Sequence, residues 1–176
     1  MNLSGVVSFI PVLTIEPATR ADVPLVLQFI RDLAEYERLQ DRVVATEADI
    51  ERWIFGDRPV AEAVIARESG DPVAFAVFFP VFSTFLGRPG IYLEDLFVRE
   101  AARGRGVGRA LMKYLATLAV DRGWGRVEWS VLDWNAPAIG FYQRLGAQIL
   151  EEWRLCRLTG DALTALAGET TDRHWS

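Results

Sequence analysis

One histidine and one cysteine stand in the whole chain of 176 residues. His174 lies near the C-terminus, so a histidine-based triad would need that tail to fold back. A single Cys156 excludes an internal disulfide framework and any cysteine-rich metal centre. No metal is expected, and the poverty in cysteine fits a reducing, cytoplasmic compartment. No apolar run approaches the ~18 residues that span a bilayer, so a membrane is not an expected partner. The apolar opening MNLSGVVSFIPVLTIEP lacks a basic leader and is interrupted by Pro11, so it does not read as a signal peptide. Basic excess is also missing: the net charge is −5, which argues against nucleic acid and mildly for a cationic partner. Internal repeats and low-complexity tracts are absent. So is the dipeptide Gly-Lys, which removes the nucleoside triphosphate loop from consideration.

What is present is a chain 51% apolar, long enough for one domain with a real core. Residues 1–11 read as an N-terminal extension, 12–168 as the domain and 169–176 as a mobile tail. Val12–Glu16 alternates as a strand. TRAD at 19–22 and TEAD at 46–49 have capping-box form, each opening a helix. The first helix is expected to run to about Leu39 and the second to stop near Gly56. VAEAVIAR at 60–67 and PVAFAVFFPVF at 72–82 read as an antiparallel hairpin turned by ESGD. A strand at 91–98, a helix ending at Gly123, a strand at 126–132 and a short helix at 137–145 follow. AQILEEWRLCRL at 147–158 reads as a last strand, and 161–167 as a helix. This order predicts an α+β (mixed α/β) fold: a mixed, mostly antiparallel twisted sheet with helices on both faces.

The most informative stretch is RGRGVGRALM at 103–112. Glycines alternate at 104, 106 and 108 ahead of a helical apolar pattern. Backbone amides at a helix N-terminus converge on an anion, and glycine lets the chain approach and adopt positive φ. Counted from Gly104, a dinucleotide loop would need glycine where Arg109 stands. The spacing Arg-x-x-Gly-x-Gly, met by Arg103, Gly106 and Gly108, instead suits the pyrophosphate of coenzyme A. Arg103, Arg105 and Arg109 add charge-assisted donors.

LEDLFVREAARGRGVGRALMKYL, WNAPAIGFYQRLGA and IEPATRADVPLVLQFIRDLAEYE together resemble the GCN5-related N-acetyltransferase (GNAT) superfamily, and within it the diamine (spermidine/spermine) and thialysine N-acetyltransferases. The likeness runs from about residue 14 to 167. It implies an acetyl-CoA-dependent transfer to a primary amine of a small molecule, by direct transfer in a ternary complex, and a homodimer. It implies that Leu96, Phe97 and Val98 hold the pantetheine arm by their backbone. The loop Arg103, Gly104, Arg105, Gly106, Val107, Gly108 and Arg109 would hold the phosphates, and Asn135 and Tyr142 would also contact the cofactor. Tyr36, Glu37, Glu94, Asp95, Glu128, Trp129, Ser130 and Glu152 fall on the family's substrate side.

The chemistry needs a proton removed from an ammonium and one returned to a thiolate. The resemblance gives the acid as Tyr142, whose phenol, ordinarily with pKa near 10, can hold its proton and still donate to a thiolate; the lesser alternative is a core aromatic, since Ile139, Tyr142 and Leu145 share one helix face. It gives Glu94 as the catalytic carboxylate that binds the ammonium and accepts its proton, directly or through water. Strand alternation puts Tyr92, Glu94, Leu96 and Val98 on one face and Ile91, Leu93, Asp95 and Phe97 on the other, which holds Asp95 back as the weaker, second candidate. Asn135 can simply cap the helix begun near Pro137. Tyr36 and Glu37 can equally be surface residues, whereas Glu128 is hard to explain on a central strand. Two departures bear on the amine: Phe85 stands where the family has a tryptophan, and the chain near Glu151 and Glu152 is one residue shorter. Cys156 has no histidine near it in sequence to make a nucleophilic thiolate. The rival readings are another amine (an amino acid, an antibiotic or a protein N-terminus) and an acyl-CoA sensor without turnover.

Overall fold

The computed structural model describes residues 12–168; the extension 1–11 and the tail with His174 lie outside the described residues. The chain divides into two compact units, Met1–Asp133 and Trp134–Ser176.

The first unit contains β1 (Leu13–Pro17), α1 (Val23–Tyr36), α2 (Glu47–Phe55), β2 (Glu62–Glu68), β3 (Asp71–Ser83), β4 (Arg88–Val98), α3 (Val107–Asp121) and β5 (Val127–Trp129). The strands form one sheet in the order β1-β2-β3-β4-β5. The first three pairings are antiparallel and β4–β5 is parallel, with α3 as the crossover. Both capping boxes form. Asp22 accepts from the Thr19 amide at 2.8 Å and Asp49 from the Thr46 amide at 2.9 Å, tying up groups that a helix start leaves open. The first box opens a 3-10 turn, Arg20–Asp22, before α1 begins. α1 stops at Tyr36, short of Leu39, because Arg38 takes a φ of 60°. The β2–β3 turn has Ser69 at φ 51° and Gly70 at φ 95°, the pair of positive angles that a tight right-twisted hairpin demands.

Alternation along the strands divides the core. Ala63, Ile65, Phe75, Val77 and Phe97 pack with Val26, Phe29 and Leu33 of α1 and Ile50 of α2; Phe29 stacks on Phe75 at 5.0 Å. The alternate positions, Val64, Ala74, Ala76, Phe78, Ile91 and Leu93, are buried on the opposite face, the side of α3. Each large side chain so buried contributes about 1.5–3 kcal/mol.

The alternation expected along β4 is broken. Val77 pairs with Asp95 while the next residue, Phe78, pairs with Leu93, so Glu94 is an extra residue in a bulge. A bulge reverses the faces beyond it. Ile91 and Leu93 therefore share a face with Leu96 and Val98, whereas Asp95 and Phe97 share the α1 side with Tyr92.

In the second unit, α4 (Ala136–Arg144) is capped by Asn135, whose Oδ1 accepts from the Ala138 amide at 3.3 Å, and α5 spans Gly160–Gly168. Gly146, at φ 92°, closes α4. The strand expected at 147–158 is not formed. A strand is stabilised by a ladder partner, and none is present among the described residues. Ile149, Leu150, Trp153, Leu155 and Leu158 are all exposed there, so the apolar run reflected composition without a buried face. β5 is also shorter than the predicted 126–132.

Candidate functional site

β4 delivers the chain through a 3-10 turn, Glu100–Ala102, into the glycine loop. Gly104 has φ 75° and Gly106, the N-cap of α3, has φ 87°; nothing lies within 4 Å of a Cβ added at either. These glycines are required for their backbone angles, not for space. A side chain in that region costs roughly 1–2 kcal/mol. Behind them the first-turn amides of Val107, Gly108 and Arg109 head a helix of 15 residues, whose positive end suits an anion. Positive backbone angles at Gly104 and Gly106, the free first-turn amides of α3 and the flanking arginines are the features that could hold the pyrophosphate of coenzyme A.

The three arginines are not equivalent. Arg105 pairs with Glu68 of β2 at 2.7 Å. Arg103 donates from Nε to the Val98 carbonyl at 2.9 Å, and its guanidinium lies over the Tyr36 ring at 4.7 Å and the Phe97 ring at 5.5 Å. Arg109 is exposed and takes part in no ion pair among the described residues. Sequence reasoning missed Glu68 as the counter-charge of Arg105; nothing in the spacing marks it.

β4 and β5 pair only at Ile91–Val127, Tyr92–Glu128 and Leu93–Trp129. From Glu94 to Val98 the outer edge of β4 has no strand partner among the described residues, so outward-pointing backbone groups of this stretch are open to a strand-like ligand. Leu96, Phe97 and Val98, the expected pantetheine-binding segment, lie on this edge.

At the bulge, three carboxylates gather. Asp95 is half-buried, and its pKa is pushed up to about 7, first by burial and then by the charges of Glu94 and Glu37. Glu37, the C-cap of α1, is also raised, by burial. No cationic side chain forms an ion pair with any of the three among the described residues. Glu94, expected among Tyr92, Leu96 and Val98 on an inward face, is instead exposed, because the bulge lifts it out of the alternation. Asp95 takes the inward place that strict alternation had denied it.

Glu128 is not a free carboxylate. Arg126 holds it through Nη2 at 2.9 Å and Nε at 2.9 Å. Arg126 lies just before β5 and Glu128 on it, at i and i+2, a same-face spacing that was readable in the sequence. Ser130 shares a hydrogen bond with the Tyr92 hydroxyl at 3.0 Å, and Trp129, on β5, is half-buried. The bulge, Tyr36 at the end of α1 and the glycine loop thus lie together through the contacts of Arg103, Glu37 and Asp95. In the second unit Asn135 is a helix cap, Tyr142 is buried on α4 beside Phe141 at 5.1 Å, and Glu152 is exposed in the irregular segment. Cys156 is exposed. No group of three or more potential ligands among the described residues is arranged to hold a metal ion, and no described helix is long and apolar enough to cross a membrane.

A mixed five-stranded sheet with a glycine loop leading from its bulged fourth strand into a helix N-terminus is the fold of an acetyltransferase. The model of the acetyltransferase (GNAT) family matches residues 27–147, and the chain belongs to that family. It is an N-acetyltransferase that acts on amines. An L-ornithine N5-acetyltransferase of Arabidopsis thaliana is 35% identical, with 85% of each chain covered. A thialysine N-epsilon-acetyltransferase of Sus scrofa is 36% identical over 88% of this chain and 97% of its own. Among solved structures, an integron cassette protein from the mobile metagenome of V. cholerae superposes with a TM-score of 0.75 at 29% identity, covering 89% of this chain and 98% of that one.

Proposed function

We propose that the enzyme uses acetyl-CoA to acetylate the primary amine of a small aliphatic di- or polyamine, or of a thialysine-like amino acid. The observation that carries this reading is the cluster of Glu37, Glu94 and Asp95, three neighbouring carboxylates with no ion-paired cation among the described residues. Such a cluster attracts an ammonium and offers it a proton acceptor. The names of the relatives, which act on ornithine and thialysine, support an acceptor of this size and charge.

When bound, acetyl-CoA supplies an acetyl group activated as a thioester. Glu94 and Glu37 hold the incoming ammonium. Asp95, turned inward by the bulge and balanced near neutrality, takes its proton and frees the nitrogen lone pair. Backbone N–H groups of Leu96–Val98 polarise the thioester carbonyl, and the first turn of α3 with Arg109 holds the phosphates. Tyr142 gives a proton to the departing thiolate. Tyr36, Trp129 and Ser130 line the amine side, while Glu128, neutralised by Arg126, serves there as a hydrogen-bond acceptor. Glu152 and Asn135 complete the substrate and cofactor contacts that the family likeness implies. This reading carries a cytoplasmic enzyme and, as the family likeness implies, a homodimer; light scattering that gives a monomer at micromolar concentration overturns the dimer.

The decisive experiment is thiol release from acetyl-CoA with a panel of amines. Diamines, ornithine and thialysine should turn over at least tenfold faster, by kcat/KM, than aminoglycosides or peptide N-termini. Equal rates across the panel, or a preference for the latter groups, would refute the assignment.

A further inference from the structure

Arg126 is seated on a glycine. A Cβ at Gly90 would lie 2.8 Å from Arg126 Cγ and 3.0 Å from its carbonyl oxygen, so only a bare backbone at 90 lets the arginine lie this close to β4. A glycine inside a strand marks such an approach. From this seat the guanidinium reaches Glu128: Nη2 donates to Oε1 at 2.9 Å, and Nε lies 2.9 Å from Oε2. Each side chain of the pair stays 37% exposed. A guanidinium has further N–H donors and a carboxylate further lone pairs, so the pair meets solvent with donors and acceptors side by side and little net charge.

Glu128 sits abreast of Tyr92 in the β4–β5 ladder, and Tyr92 stacks on Phe79 at 5.2 Å. The bulge puts Asp95 on the same face as Tyr92. These two residues pair with Val77 and Phe79, two steps apart on β3, so about 7 Å along the sheet separates the ion pair from the carboxylates of the bulge. That is the reach of a lysine-like stem of about four atoms.

We propose that Arg126 and Glu128 form a head-group site that selects an amino acid whose side chain ends in a primary amine. The outward N–H groups of Arg126 take its α-carboxylate, Glu128 takes its α-ammonium, and the terminal ammonium lies at the carboxylates of the bulge. Opposite charges fixed side by side fit a zwitterion. They do not fit the second ammonium of a diamine, for which Arg126 cancels the attraction of Glu128 and adds a like charge. Arg126 is thus a specificity-determining residue, and Gly90 is a positioning residue for it. This inference rests on the proposed function and selects the amino-acid branch of it.

Thiol release from acetyl-CoA tests it with a matched pair: ornithine, and the straight-chain diamine of equal length that lacks only the carboxylate. In the wild type kcat/KM should favour ornithine by about tenfold or more, the lower end of what hydrogen bonds to charged groups contribute. Arg126→Gln should lower kcat/KM for ornithine by about tenfold, chiefly through KM, and raise it for the diamine, because Glu128 is then free to attract a second ammonium. A merely structural arginine would lower both. Two measurements stand if that variant does not fold. Arg126→Lys, which keeps the charge but not the planar fork, should narrow the preference, and the methyl ester of ornithine should fall to the level of the diamine on the wild type. A wild type that turns over the diamine as well as ornithine, an ester as good as the free acid, or an Arg126→Gln variant that slows both amines alike overturns the head-group site. Failure of the proposed function would look different, as no thiol release with either amine.

Discussion

Leu93 and Asp95 stand two places apart on β4 and face opposite sides of the sheet. In an unbroken strand they would share a face. The inserted Glu94 turns Asp95 from the α3 side to the α1 side, where burial and the neighbouring carboxylates push its pKa up to about 7. On the proposed function, a titratable group on the amine side is thereby brought into the range where it can take and lose a proton during turnover.

If Asp95 is the proton acceptor, kcat/KM for the amine should rise with pH on a limb with an apparent pKa about 7. That value belongs to the coupled set of Asp95, Glu94 and Glu37 rather than to one carboxyl. Asp95→Asn should abolish the limb and lower kcat by about 10²-fold or more. Glu94→Gln should chiefly raise KM for the amine. A pH profile for Asp95→Asn that overlays wild type assigns the proton elsewhere, with Glu94 the next carboxylate to test.

The same shift has a consequence for stability. The folded pKa lies above the ordinary carboxyl value of 3.8, so between about 4 and 7 the folded state binds more protons than the unfolded state. The contribution of Asp95 to stability is greatest below pH 4 and is lost as the pH rises through 7. Asp95→Asn should therefore melt above wild type at pH 8, and the difference should shrink toward pH 5. Scanning calorimetry at the two pH values checks this; a difference that grows toward pH 5 contradicts the burial of a repelled carboxylate.

Tyr142→Phe keeps the ring buried on α4 and removes the hydroxyl. As the acid for the departing thiolate, it should cut kcat by about 10²–10⁴-fold with little change in KM for acetyl-CoA. A loss below tenfold, read by thiol release, would leave Tyr142 a packing residue.

Gly106→Ala places a side chain at φ 87° with no neighbour to clash. The variant should fold, with stability lower by about 1–2 kcal/mol, and bind coenzyme A more weakly because the first amides of α3 shift. Paired denaturation and calorimetry measure both. Unchanged affinity would mean that the loop's angles do not aim those amides.

Much of this was legible in the chain. The two capping boxes, the Ser69–Gly70 turn and the glycine loop announce themselves because each rests on a local rule of geometry. The bulge at Glu94 does not, since nothing in YLEDLFV marks an extra residue; it appears only in the register against Val77 and Phe78. The neutralising of Glu128 by Arg126 was within reach, as their spacing alone puts them on one face. The strand expected at 147–158 failed for the opposite reason. Its apolar residues satisfied a composition rule, while strand formation depends on a partner that composition does not supply.

The early end of the β4–β5 ladder at Leu93 and Trp129 has an effect on handling as well as on chemistry. Beyond that pair the outer edge of β4 has no strand partner among the described residues and, apart from the Val98 carbonyl held by Arg103, is a template on which another extended chain can pair. On the proposed function, a cosubstrate lying along it would act as a temporary seal. Protein kept with coenzyme A should stay dispersed through concentration and storage under conditions in which the empty protein clouds.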